Sequence, residues 1–280
     1  MSVKTDRCSP PRMVSITMNC FSPVLHSEVK LAVLLPDGAG RGQRPAKVLY
    51  LLHGGEGNCM DWVRFTSIER YATGKNIAVI MPSANISRWN NMAMGENYSD
   101  FLVHDLPQRL RKVFPYLSYE PEDTYIAGLS MGGGGALTNA MLYPEKYAAC
   151  GVLSASSVVP FEHLRPETMQ LKPPGGAGKP THVELQLGVE KSEAAAGTDW
   201  DIVYTSTKNV KEGKKLPRIF HACGKQDHAY PVALAIERHF KSFPGDPYRY
   251  ELHITEDGRH DWDFWDIWIK KFIESIEEEA

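Results

Sequence analysis

The chain has 280 residues, of which 23% are charged, and its formal net charge is −3 at pH 7. This length suits one large domain or two ordinary ones, and no change in composition marks a boundary between two. The charge balance provides no basic field for nucleic acid or for an anionic membrane. We therefore expect a small-molecule partner, while the sequence leaves open whether the chain forms a homo-oligomer.

The N-terminal stretch 1–11 is polar and contains proline, and no run of 18 apolar residues occurs in the sequence. The five cysteines are scattered without C-x-x-C spacing, which is typical of reduced thiols. No H-E-x-x-H or comparable ligand spacing occurs either, so we expect no metal and no other cofactor. These features predict a cytoplasmic protein without a membrane segment.

Eight short apolar runs have the length of β-strands. The first two alternate, as half-exposed antiparallel strands do, whereas most of the later ones are continuous, as parallel strands covered on both faces must be. The pattern predicts an α/β fold with a mostly parallel eight-stranded sheet. The runs are 14–20, 28–35, 46–52, 77–81, 124–128, 149–155, 218–223 and 248–254.

Segments with helical spacing lie between the later strands and predict helices on both faces of the sheet. The final one places its apolar residues at steps of one, three or four, so that one stripe faces the sheet. Right-handed crossovers then bring the chemistry to the carboxyl ends of the strands. The predicted helices are 62–72, 100–114, 136–143, 231–243 and one from 261 onward.

The stretch 157–216 is too long for a crossover helix and contains the breaker-rich P-P-G-G-A-G-K-P at 173–180. We expect a single domain over 1–280 with a cap insertion at 157–216 above the strand ends. A disordered insertion is the alternative. Trp200 in this stretch either faces the substrate or belongs to the core of the cap.

The segment A-G-L-S-M-G-G-G-G-A at 127–136 contains G-x-S-x-G after a buried strand and before a helix. Four glycines are unfavourable at the start of a helix, so another requirement must keep them there. A sharp strand-to-helix turn is such a requirement, because it strains the serine backbone and brings the helix close to the strand. This context makes Ser130 a candidate nucleophile.

An acid and a base follow the serine in the order that an α/β hydrolase requires. Asp227 comes just after the strand at 218–223, and His260 follows the strand at 248–254. The rival bases are His221 and His253 inside strands and His228, which as the direct neighbour of Asp227 is expected to point elsewhere. The rival acids are Asp257 and Asp261, of which Asp261 suits the N-cap of the last helix better.

The attack of a serine on a carbonyl creates an oxyanion that backbone N–H groups must stabilise. One N–H belongs to Met131, the residue after the nucleophile. The second is expected on the loop H-G-G-E-G-N at 53–58, which follows a central strand. We choose Gly55 as that donor and Gly54 as a substrate neighbour, with an ordinary turn as the alternative.

Three motifs of this chain resemble the putative-esterase family of α/β hydrolases, and the tributyrin esterase branch most. They are L-Y-L-L-H-G-G-E-G-N-C-M-D-W, I-A-G-L-S-M-G-G-G-G-A and G-R-H-D-W-D-F-W, at 49–62, 126–136 and 258–265. The resemblance implies an α/β-hydrolase fold, a Ser130–His260–Asp227 triad and oxyanion donors at Gly55 and Met131.

The family suggests a serine carboxylesterase for short acyl esters that works through an acyl-enzyme. Its other members suggest two alternatives, a thioesterase of the S-formylglutathione hydrolase type and a feruloyl or acetyl esterase acting on plant-sugar esters. A binding protein on an inactive hydrolase scaffold is the alternative from another class. The intact triad in this sequence argues against it.

Overall fold

The computed structural model describes residues 13–37, 44–166 and 179–278. Within these residues one sheet has eight strands, which confirms the predicted fold class. The strands are β1 (Met13–Ser22), β2 (Ser27–Pro36), β3 (Lys47–Leu52), β4 (Ile77–Pro82), β5 (Thr124–Leu129), β6 (Ala149–Leu153), β7 (Arg218–Gly224) and β8 (Glu251–Thr255). Their order across the sheet is β1-β2-β4-β3-β5-β6-β7-β8.

The first two strands form an antiparallel hairpin, with Met13 opposite Pro36 and Ser22 opposite Ser27. β2 is also antiparallel to β4, while the six strands β3 to β8 run parallel to one another. β1 alternates in exposure as predicted, but β2 is buried from Leu31 to Leu35. Its residues enter both cores described next, because apolar side chains cover both of its faces.

Two apolar cores lie on opposite faces of the sheet, and alternate residues of each buried strand enter them. In β3, Tyr50 and Leu52 belong to one core and Leu49 and Leu51 to the other. Side chains pointing alternately to the two faces of a strand explain this division. A strand covered in this way reads as a continuous apolar run, which is why the parallel strands were recognisable in the sequence.

Helices cover both faces. The helices are α1 (Asp61–Phe65), α2 (Ile68–Ala72), α3 (Tyr98–Asp100), α4 (Leu106–Val113), α5 (Met131–Leu142), α6 (His182–Leu187), α7 (Ile202–Lys211), α8 (Tyr230–Phe240) and α9 (Trp262–Glu278). A π-helical turn, Phe101–Asp105, joins α3 to α4. The predicted apolar stripe of α9 packs into the same core as α1 and α2.

The predicted helix 62–72 is two helices, because the backbone of Thr66 is extended. The carboxylate of Asp266 on α9 caps the second of them: it accepts the Ser67 N–H at 2.7 Å and the Tyr71 hydroxyl at 2.6 Å. These contacts join residues almost 200 positions apart in the chain. A local contact also marks the break, because Thr66 Oγ1 accepts the Ile68 N–H at 3.2 Å.

The stretch 157–216 contains α6, α7 and two 3₁₀ turns, Phe161–Leu164 and Ser192–Ala195, while residues 167–178 lie outside the described part. α7 is the crossover helix between β6 and β7, and Asn209 on it donates to the Met141 carbonyl of α5 at 2.6 Å. The elements before α7 bind the loop that follows β4, through Ala93 and Met94.

No helix among the described residues has the length and apolar character to cross a membrane. The cytoplasmic location stays a prediction.

Candidate active site

Ser130 lies on a sharp turn between the end of β5 and the start of α5. Its backbone has φ 52° and ψ −117°, a conformation that residues other than glycine rarely adopt. The Ser130 N–H donates to the Leu153 carbonyl of β6 at 2.9 Å. The strained turn places the hydroxyl at the carboxyl ends of the parallel strands, as the sequence pattern predicted.

Two glycines around Ser130 allow this turn, because the helix packs directly on the strand ends. A Cβ atom on Gly132 would lie 2.5 Å from the carbonyl oxygens of Leu52 and His53. One on Gly128 would lie 2.4 Å from the carbonyl oxygen of Gly132. Backbone contacts this short exclude any side chain, which explains why residues with poor helix propensity stand here.

The structure brings Ser130, His260 and Asp227 into one hydrogen-bonded chain. The Oγ of Ser130 lies 2.9 Å from Nε2 of His260. Nδ1 of the same ring lies 2.8 Å and 2.9 Å from the two carboxylate oxygens of Asp227. The Asp227 side chain is fully buried and that of His260 is 22% exposed. A carboxylate accepts only, so the ring carries a proton on Nδ1 and presents Nε2 to the serine.

The Asp227 carboxylate is fixed by further donors. Burial acts to raise its pKa, but hydrogen bonds outweigh burial and hold the pKa below the ordinary value. The donors are His260, the Ala229 N–H at 2.7 Å and the Ser154 side chain. Ser154 is buried with φ 48°, and its Oγ accepts the indole N–H of Trp265 at 3.1 Å. The charged form of Asp227 is therefore favoured.

His228 does not point away from the site, so the expectation for it was wrong. Its ring centroid lies 4.1 Å from that of His260, and its Nδ1 lies 3.7 Å from Oδ1 of Asp227. Burial and the neighbouring His260 lower the pKa of His228 to about 4. A neutral ring therefore packs on the ring of His260 at neutral pH. Sequence spacing gave no signal for this contact.

The rival acids lie apart from this chain of hydrogen bonds. Asp261 Oδ1 accepts the Phe264 N–H at 3.0 Å, which confirms it as the N-cap of α9. Asp257 is exposed on the loop before His260.

The rival bases inside strands have other partners. His221 is fully buried and bonds to the Tyr250 hydroxyl at 2.7 Å, while His253 packs on Trp268.

The loop after β3 reaches the nucleophile at Gly54. A Cβ atom on Gly54 would lie 3.5 Å from that of Ser130 and 2.6 Å from a methyl carbon of Leu129. Gly55 is exposed, and a Cβ atom there would meet nothing within 4 Å. Met131 is buried as the first residue of α5, and the N–H of a first helical residue has no acceptor within its own helix.

Trp200 is half-buried and packs on a small apolar cluster formed by Val159, Leu187 and Ala195. This cluster lies apart from the two cores of the sheet, within the stretch 157–216. The role of Trp200 toward a substrate stays a prediction.

Asp227, His228 and His260 are also the described residues that could hold a metal ion, since their ligand atoms lie within 4.8 Å of one another. Both nitrogens of His260 already face partners, Asp227 on one side and Ser130 on the other. Binding a metal through either nitrogen would break one of these hydrogen bonds. As arranged, these three residues are therefore better suited to proton transfer than to metal binding.

Comparisons with known proteins show the family to which the chain belongs. A family model described as putative esterase matches residues 22–277. An acetyl esterase of Caldicellulosiruptor saccharolyticus is 29% identical over 270 residues, which cover 94% of this chain and 97% of that protein.

Two solved structures from Staphylococcus aureus are also similar. One is the substrate-bound fluorophosphonate-binding serine hydrolase FphF, with TM-score 0.81 and 30% identity over 95% of this chain and 98% of that one. The other is the S-formylglutathione hydrolase FrmB, with TM-score 0.79 and 32% identity over 94% and 98% of the two chains. The chain belongs to the putative esterase family and is a carboxylic ester hydrolase of the serine-hydrolase type.

Proposed function

We propose that this chain is a carboxylesterase that hydrolyses short-chain acyl esters through a Ser130–His260–Asp227 triad. The observation that carries the proposal is the continuous hydrogen-bonded chain from Asp227 through His260 to Ser130, with the serine on a strained strand-to-helix turn. A serine hydroxyl is weakly nucleophilic until a base within hydrogen-bond reach takes its proton, and Nε2 at 2.9 Å is such a base.

In the proposed reaction Ser130 Oγ attacks the ester carbonyl while His260 Nε2 takes its proton. Asp227 keeps the ring in the required tautomer and stabilises the imidazolium that forms. The N–H groups of Met131 and Gly55 bind the oxyanion. His260 then returns the proton to the leaving alcohol, which leaves an acyl-enzyme on Ser130. Water activated by His260 hydrolyses this intermediate.

Short acyl groups are the proposed substrates, for two reasons. The similarity to an acetyl esterase supports a small acyl group. A Cβ atom at Gly55 would meet nothing within 4 Å, and we propose that a few more methylene groups of the acyl chain use this space. Gly54 and Trp200 are the proposed substrate neighbours, and the part of 157–216 before α7 is the proposed cap.

Labelling with a fluorophosphonate tests the nucleophile. Ser156 offers a matched control, because its hydroxyl lies 3.4 Å from that of Ser130. We expect the mass of one phosphonyl group to be added to the wild type and to Ser156→Ala, and none to Ser130→Ala. Labelling of Ser130→Ala, or its retention of more than about a hundredth of the esterase rate, would contradict the assignment.

A thioesterase is the second candidate, because the chain is 32% identical to an S-formylglutathione hydrolase. The same triad would act on a thioester, with a thiol as the leaving group. Measuring kcat/KM for S-formylglutathione and for p-nitrophenyl acetate separates the two. A preference of more than about a hundredfold for the thioester would favour the second candidate.

A further inference from the structure

His53 is a buried polar residue at the end of β3, directly before the two glycines of the proposed oxyanion loop. It is 1% exposed, and both of its ring nitrogens have backbone partners. Nε2 lies 2.9 Å from the Ala84 amide nitrogen, and Nδ1 lies 2.7 Å from the Gly54 carbonyl oxygen. A backbone N–H only donates, so Nε2 accepts and the ring proton lies on Nδ1. His53 therefore donates to the Gly54 carbonyl.

The surroundings of the ring hold it in this orientation. The Trp89 ring packs edge-on at 5.0 Å, and its indole N–H donates to the His53 carbonyl at 3.2 Å. On the other side, a Cβ atom at Gly57 would lie 3.0 Å from Nδ1. Burial lowers the pKa of His53, so the ring remains neutral and keeps its acceptor nitrogen.

The donation from His53 determines how the next peptide group is oriented. The Gly54 carbonyl also accepts the Gly57 N–H at 3.3 Å, so its oxygen is held inside the loop. A trans peptide is planar, and its N–H points opposite to its C=O. The N–H of Gly55 must therefore point away from His53, on the outer side of the loop. Gly54 itself lies beside Ser130.

We propose that His53 is a positioning residue that fixes the Gly54–Gly55 peptide so that the Gly55 N–H faces the oxyanion. This inference rests on the oxyanion role proposed above for Gly55. Two consecutive glycines tolerate a reversed peptide, because neither has a side chain that restricts rotation. The reversed peptide would turn the Gly54 carbonyl oxygen toward the developing negative charge. A fixed donor on that carbonyl prevents this.

Two substitutions separate the two hydrogen bonds of His53. In His53→Asn the amide nitrogen replaces Nδ1 and still donates to Gly54. In His53→Gln the side-chain oxygen replaces Nε2 and still accepts from Ala84, but the donor to Gly54 is lost. Each variant loses one of the two hydrogen bonds, which makes each the control for the other. Asparagine is one methylene smaller than glutamine and leaves the larger cavity, so a loss caused by packing alone would be greater in His53→Asn.

We expect His53→Gln to lower kcat for p-nitrophenyl butyrate by about a hundredfold, the effect of losing one oxyanion donor, with KM changed less than about threefold. His53→Asn should retain kcat within about tenfold. Equal losses in the two variants at equal melting temperature, or a loss confined to KM, would overturn the inference.

The tautomer can be measured in the wild-type protein, even if a variant does not fold. Long-range ¹H–¹⁵N correlation spectra of protein carrying ¹⁵N-histidine distinguish a proton on Nδ1 from one on Nε2. We expect His53 as the Nδ1–H form, and the Nε2–H form would overturn the inference. A wild type that takes up no fluorophosphonate and hydrolyses no ester would instead contradict the proposed function, since the tautomer is measured without turnover.

Discussion

Replacement of Asp227 by Asn tests the triad most directly, because it changes one atom of the buried carboxylate. The Ala229 N–H donates to Oδ1 at 2.7 Å, so the amide oxygen of the asparagine stays at that position. The NH₂ group then occupies the position of Oδ2, which lies 2.9 Å from His260 Nδ1. An NH₂ group donates, which favours the tautomer in which Nδ1 accepts and the ring proton lies on Nε2. In that tautomer Nε2 cannot take the proton of Ser130.

The expected loss follows from the same geometry. A wrong histidine tautomer costs about 10⁴-fold in kcat in serine proteases, or about 5 kcal/mol in the barrier. Here Nδ1 also lies 2.8 Å from Oδ1, which still accepts in the variant. Some molecules therefore keep the working tautomer, and we expect a loss of about 10³-fold, or about 4 kcal/mol.

The assay is kcat for p-nitrophenyl butyrate, with the melting temperature measured in parallel. Asp257→Asn is the matched control, because Asp257 is exposed on the loop that leads to His260. It should change kcat by less than about twofold. The reasoning fails if Asp227→Asn keeps more than a tenth of the wild-type kcat, or if Asp257→Asn loses as much.

Three further predictions concern packing, acyl selectivity and pH. Gly132→Ala should abolish soluble folded protein or activity, because its Cβ would lie 2.5 Å from two backbone oxygens; a fully active variant would refute the close contact. Gly55→Phe should move the best p-nitrophenyl ester from butyryl toward acetyl, since each methylene contributes about 0.8 kcal/mol only while the pocket buries it; an unchanged kcat/KM profile from acetyl to dodecanoyl would speak against an acyl site there. Burial lowers the pKa of His221 in the folded protein to about 3, whereas its value in the unfolded chain is about 6.5. As the pH falls below about 6.5, the unfolded chain therefore binds a proton at His221 that the folded protein does not bind, and the stability falls. The free energy of unfolding, measured in urea at pH 7 and at pH 4.5, should fall by about 3 kcal/mol more in the wild type than in His221→Gln. Equal losses in the two proteins would refute the lowered pKa of His221.

The local sequence was sufficient to predict the eight strands, the strand-to-helix turn at Ser130 and the order Ser130, Asp227, His260. Each of these leaves a short-range signal: continuous apolar runs for strands covered on both faces, glycines where a helix touches a strand, and polar residues just after strands. Parallel strands with right-handed crossovers then bring those polar residues to one edge of the sheet.

Other features depend on contacts between distant segments, and only the tertiary structure decided them. Asp266 caps α2 from the last helix, and the His228 ring packs on His260 instead of pointing away. The Ala84 N–H, 31 positions further along the chain, donates to Nε2 of His53 and so determines that the ring proton lies on Nδ1. Hydrogen bonds and ring contacts act over about 3 to 5 Å in space without regard to separation along the chain, so the direction of a side chain on a loop is set by neighbours that no local pattern contains.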